Sequence, residues 1–169
     1  SIRELMRFLG LGIDSSGLAF NILNYSFKET GRENEFKNSL SFPSGVKKDK
    51  YHANVAVFLG RSSRIISPDE VSSMDILVKK GWHNRAWHLG VVLDDGEEDF
   101  LLAHSTLALT PNGVHSSRFS VKDNRPNFKF EPSLSENSWE NLYDQGKINF
   151  RRLTVMEQFH SRQTLSLRK

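Results

Sequence analysis

The sequence predicts an α+β fold, with N-terminal helices packed on an antiparallel sheet of about five or six strands. Three observations predict it. Apolar residues recur at helical spacing near the start of the chain, short β-rich runs separated by turn residues follow Pro68, and no repeat or low-complexity tract interrupts the progression. At 169 residues, the chain fits a single domain, 1–169, large enough to bury a core without disulfides or metals.

The elements follow in chain order. "IRELMRFL" carries Ile2, Leu5, Met6, Phe8 and Leu9 at helical spacing, and Gly10 and Gly12 break it. A second helical pattern runs from Ser16, "SGLAFNILNYSF", with Leu18, Ile22, Leu23 and Phe27 sharing a buried stripe before Gly31 ends it. Residues 29–52, with "KKDK" at 47–50, are polar, basic and glycine-containing, and are expected to form an exposed excursion. "ANVAVFL" at 53–59 is too short for periodicity to separate strand from buried helix. The strand candidates are "DILVK" (75–79), "WHLGVVL" (87–93), "DFLLAHS" (99–105), "GVHSSRF" (113–119) and "KINFRRL" (147–153). The Asp-Gly step in "DDGEED" (94–99) favours a hairpin connection.

Composition narrows the function classes. Hydrophobic residues at 37% and charged residues at 25% are ordinary for a soluble globular protein. Lys+Arg 23 against Asp+Glu 20 leaves a net charge of +3, far from the basic signature of a nucleic-acid binder. No apolar run approaches the roughly 18 to 20 residues of a membrane helix. With no cysteine, disulfides and thiolate ligands are excluded. The tail "RRLTVMEQFHSRQTLSLRK" is basic and reads as a solvated edge and frayed terminus.

Two features carry chemistry. "GLGIDSSGLAF" (10–20) places a polar knot at a helix entry, where Asp14 or Ser15 would cap the first turn. The same free N–H groups and positive dipole end are a place to activate a nucleophile or hold an anion. The six histidines are the second feature. In "WHLGVVL" alternation sets His88, Gly90 and Val92 on one face, with Trp87, Leu89, Val91 and Leu93 on the other. His104 falls near the end of the next strand, so strand pairing brings the two imidazoles together. They read either as satisfied sheet histidines or as base and orienter beside a helix-end nucleophile. His83, His88, His104 and His115 could supply imidazole ligands to a metal, but their spacing matches neither HExxH nor a finger pattern and no thiolate is present, so neither metal nor cofactor is expected.

The residues carrying these features resemble the NlpC superfamily of papain-like cell-wall peptidases. "GIDSSGLAF" is similar to its Asp-Cys-Ser-Gly-Leu/Phe signature with serine at the cysteine position, and "MDILVKKG" to its Pro-Gly-Asp-Leu/Ile-Val strand. "HLGVVLDDG" resembles its His-Val/Leu-Gly-Ile/Val strand and "LLAHST" the strand that follows, all four in family order. The resemblance implies a papain-like fold and hydrolysis of peptidoglycan stem-peptide amides, typically between D-glutamate and a diamino acid. It implies a periplasmic or secreted location, a stem peptide as partner, and no cofactor. By position, Ser15 takes the nucleophile's place, His88 the general base's and His104 that of the orienting residue, while Asp14 and Ser16 match flanking positions that in the family help bind the stem peptide. Trp87 is an expected substrate-binding residue on its aromatic character alone, as a ring that could line a cleft. His115 is an alternate third residue, and Trp82 and His83 are candidates for a cleft rim.

Departures from the family pattern are specific. The upstream tyrosine has no counterpart in residues 1–13, Pro-Gly reads Ser73-Met74, and the span from Ser15 to His88 is long, with 29–52 supplying the extra length. The largest departure is Ser15 itself. A cysteine at a helix N-terminus beside an imidazole ionises at neutral pH, whereas a serine hydroxyl must lose its proton to the base during attack. Little or no turnover is expected. Three origins fit: a deliberate Cys→Ser change in a cysteine peptidase, a natural pseudoenzyme that binds wall peptides or a partner protein, and a working serine hydrolase.

Overall fold

A computed structural model of the chain describes residues 14–81, 86–94, 99–105, 114–129 and 139–157. The expected mixture of helices and antiparallel sheet is present, but seven strands are described where five or six were expected. They are β1 (Ser63–Ile66), β2 (Ile76–Lys80), β3 (Ala86–Asp94), β4 (Phe100–Ser105), β5 (Val114–Lys122), β6 (Arg125–Lys129) and β7 (Ile148–Leu153). Their order is β1-β7-β2-β3-β4-β5-β6, with every neighbouring pair antiparallel. Among the described residues, the last strand thus returns to lie between the first two.

The two unexpected strands are the sheet's edges. Pro126 in β6 has no N–H to give a ladder, and an edge strand is where that loss is tolerated. β6 is joined to β5 by Asp123 and Asn124, both at positive φ (52° and 58°), the geometry of a two-residue type I′ hairpin. β1 spans only Ser63–Ile66 and exposes Arg64 and Ile65, too short to show an alternation.

Helix α1 (Ser15–Glu29) begins where the polar knot placed it, and Asp14 is its N-cap, its carboxylate accepting from the Gly17 N–H at 2.6 Å. Its buried face is Ala19, Phe20, Leu23 and Phe27; the expected Leu18 and Ile22 are only partly buried, so the stripe is rotated from the one expected. The 29–52 stretch is not simply an exposed excursion. Its helix α2 (Glu33–Ser39) sends Phe36, fully buried, to stack on Phe27 with ring centroids 5.2 Å apart, and Leu40 is buried beside it. "ANVAVFL" is neither strand nor α-helix: Val55–Phe58 form a single 3₁₀ turn capped by Asn54. The helix expected at 2–9, the turn at 95–98 and the end of the basic tail lie outside the described residues.

Both faces of the sheet are buried. One packs Ile76, Val78, Leu89 and Val91 against α1, Phe36 and Phe58. The other gathers Leu77, Val92, Leu102, Phe119, Phe128, Ile148 and Phe150 with Trp139 of helix α3 (Trp139–Asp144). Two-sided burial explains why β2 and β3 read as near-continuous apolar runs. The start of β2 is fixed by Asp75, 1% exposed, whose carboxylate pairs with Arg152 at 2.7 Å and accepts from the Ser72 N–H. Just before it, Met74 sits at φ 72°, a conformation favouring glycine, with its N–H donating to the Val92 carbonyl at 2.8 Å.

Candidate active site

The site is assembled by register. On β3 the alternation is as expected, with Leu89 and Val91 turned to α1 and Val92 to the opposite face. β4 pairs His104 with Gly90, so His104 lies diagonal to His88 on the same face. Because Gly90 has no side chain, Leu102 of β4 packs over it. A Cβ there would come within 2.7 Å of Leu102 Cδ1 and 3.0 Å of its Cγ, so the space over the glycine is already occupied.

The outcome is a buried polar chain across three strands. His88 Nε2 and His104 Nδ1 are 3.0 Å apart, with ring centroids 5.2 Å apart and planes at 76°. His104 Nε2 lies 2.9 Å from Ser117 Oγ on β5. All three residues are buried, His104 completely. Trp139 meets both rings edge-on, 6.0 Å from His88 and 5.7 Å from His104 by centroid. Lys79 is the register partner of His88 on β2, and its ammonium lies 5.1 Å from the Trp139 ring centroid. Burial pushes the Lys79 pKa down, because desolvation disfavours the charged form.

Ser15, the first residue of α1, is buried, and its Oγ accepts from the Leu89 N–H at 3.3 Å. Gly90–His104 is the last pair of the β3–β4 ladder, and Leu89, the next residue back along β3, gives its N–H to Ser15 instead. The helix N-terminus therefore meets the sheet where the two strands part. His88 and His104 are brought together as expected, and Ser15 is brought to the strand backbone one residue beyond His88. Ser16 is buried, whereas Asp14 is exposed and engaged in capping.

Trp87 belongs to β3, but its side chain is outside the described residues, and Trp82 and His83 lie outside them altogether. The His115 backbone pairs with His104, and the His115 side chain is likewise not described. Three side chains of the site escape sequence reasoning. Ser117 follows His115 at strand period, a usable signal once β4 and β5 are known to pair. Lys79 becomes legible only from the β2–β3 register, and Trp139 has no local signal.

Chemically, an atom at position 15 sits at the positive end of a fifteen-residue helix, with the Leu89 N–H directed at it, and the residue before Leu89 is His88, whose ring is linked to His104. A thiolate there would be stabilised by both the dipole and the N–H. Comparison with models of protein families, with characterised proteins and with solved structures finds no match to this chain.

Proposed function

We propose that the chain is a papain-like peptidoglycan endopeptidase domain with serine in the place of its nucleophile, acting, when that position is cysteine, on stem-peptide amides of the D-glutamyl to diamino acid type. The single observation that supports this most is the coincidence of residue 15 at a helix N-terminus with the buried His88–His104 pair one residue from its strand contact. Neither feature alone would separate a capped helix and two satisfied histidines from a site.

In this reading the thiolate that a Ser15→Cys change supplies attacks the amide carbonyl carbon, and backbone N–H groups at the start of α1 stabilise the oxyanion that develops. His88, protonated, gives its proton to the leaving amine. It then takes one from the water that hydrolyses the thioester. His104 holds the His88 ring through Nε2, so proton transfer runs through Nδ1. The setting is periplasmic or extracellular, where the polymer is.

A serine hydroxyl is poorly suited to this arrangement. Its oxygen already accepts from Leu89 N–H and carries its own proton, so the present chain is expected to bind stem peptides without turning them over. That serine favours, as a second reading, a non-catalytic module that captures wall peptides or a protein partner. Purified muropeptides incubated with the Ser15→Cys protein distinguish the two. Cleavage that disappears in Ser15→Cys/His88→Ala supports the peptidase. Intact muropeptides that co-migrate with both proteins support the binding module.

A further inference from the structure

We propose that Lys79 is a specificity residue on the leaving-group side of the site, selecting a stem peptide whose diamino acid carries a carboxylate beside its second amine over one that ends in a bare ammonium. The choice of peptide rests on the peptidase reading, whereas the placement of an ammonium beside the histidine pair does not.

That placement follows from strand geometry. In an antiparallel strand a residue directs its N–H and C=O to the same side, and the side alternates along the chain. Val92 gives its N–H to the Asp75 carbonyl and accepts from the Met74 N–H, both at 2.8 Å, so its backbone faces the segment that enters β2. Leu89, three residues back, faces the other way, toward β4, and there its N–H meets Ser15 Oγ. Lys79 is the register partner of His88 on β2. Across the sheet the order is therefore residue 15, His88, Lys79. A peptide whose carbonyl carbon lies at residue 15 has its leaving nitrogen toward His88, which protonates it, and the leaving residue continues past the imidazole toward β2.

Directly opposed residues share a face, so Lys79 projects on the same side of the sheet as His88, and Trp139 spans the two. Its ring centroid is 5.1 Å from the Lys79 ammonium and 6.0 Å from the centroid of His88. Trp139 is buried, whereas Lys79 is only partly so and still reaches solvent. A charge beside an apolar wall acts on a further charge more strongly than one surrounded by water. The desolvation that lowers the Lys79 pKa therefore also favours an incoming carboxylate and opposes a second ammonium. With three N–H donors, the ammonium can receive that carboxylate in addition to the protein groups it contacts.

The test uses two tripeptides, L-Ala-γ-D-Glu followed by meso-diaminopimelate or by L-lysine, which differ by one carboxylate at the end of the last side chain. Calorimetric titration of each into the present chain reads the selection without turnover. The diaminopimelate peptide should bind tighter by on the order of 10-fold or more, as a charge-assisted hydrogen bond gives. The two affinities should become nearly equal in Lys79→Met, which keeps an apolar stem against Trp139, and Lys79→Arg should retain the preference. Equal affinities in the present chain, which needs no variant to fold, or a preference that survives in Lys79→Met, would overturn the assignment. In a Ser15→Cys background, kcat/KM should show the same ratio and the same loss in Lys79→Met. Selective binding with no cleavage by Ser15→Cys ends the peptidase reading and leaves the Lys79 subsite standing. Equal cleavage of both peptides by Ser15→Cys keeps that reading and removes Lys79 from it, and a chain that neither binds nor cleaves either peptide removes both.

Discussion

On the face of the sheet turned to α1, β2 and β3 present Ile76, Val78, Leu89 and Val91 to Phe20, Leu23, Phe36 and Phe58. On the opposite face the same strands present Leu77 and Val92, yet there His88, His104 and Ser117 are buried beside Trp139 and a wall of phenylalanines. The first face gains stability from area and close packing, and single side chains count in proportion to what they fill. The second accommodates polar groups in a low-dielectric interior, where a linked chain is stable only as long as each member keeps its partner. One face is therefore built for stability, and the other trades part of that for a defined arrangement of protons.

The comparison is broken most severely on the first face. Phe36→Ala removes a fully buried ring stacked on Phe27 and 5.5 Å from Phe20, and should cost about 3–5 kcal/mol in urea unfolding. The His88 and His104 tautomers of the folded variant should be unchanged, since Phe36 belongs to the other core. A tautomer shift would mean that the two faces are not independent.

Gly90→Ala acts on the second face and tests the opposite balance. Its methyl would meet Leu102 at 2.7 Å, an overpacking worth about 1–3 kcal/mol, less than Phe36→Ala. Because Gly90 is the register partner of His104, a shift of β4 that relieves the Leu102 clash should weaken the His88–His104 bond as well, seen as faster exchange of the shared imidazole proton in ¹H NMR. Loss of stability with that proton unaffected would show that the glycine serves packing alone.

The smallest effect lies at the rim. Glu70 is held at about 2, below its ordinary 4.5, by the Ser67 backbone N–H first and then by the Ser67 hydroxyl and Arg64. A depressed carboxylate pKa favours the folded state above the unfolded value, and this contribution is lost as pH falls from about 4.5 toward 2. Glu70→Gln should accordingly melt slightly below the parent at pH 7, with the gap closing as pH approaches 2. A gap that is constant over that range would assign Glu70 no pH-dependent role.

How much of this was legible follows from where each signal resides. The α1 start was written in Asp14-Ser15-Ser16-Gly17, a local capping pattern, and the shared face of His88 and His104 followed from strand period and adjacency. What stayed hidden was non-local. β6 was obscured by Pro126, which is acceptable only because the strand is an edge, and topology decides that rather than composition. Phe36 was obscured by the charged residues around it on a seven-residue helix, where one buried ring gives no periodicity. Ser117 and Lys79 acquire meaning only from the registers that set them beside His104 and His88.

That the helix end and the imidazole pair act on one atom is tested most directly by the pH dependence of alkylation of the Ser15→Cys protein with iodoacetamide. A thiolate held by the α1 dipole, the Leu89 N–H and the imidazole should react at a rate already near its plateau at mildly acidic pH, and His88→Ala should shift the profile to higher pH. A rate that rises only around the ordinary thiol value of about 8.5, with or without His88, would contradict a common site and leave Ser15 as the first residue of a capped helix.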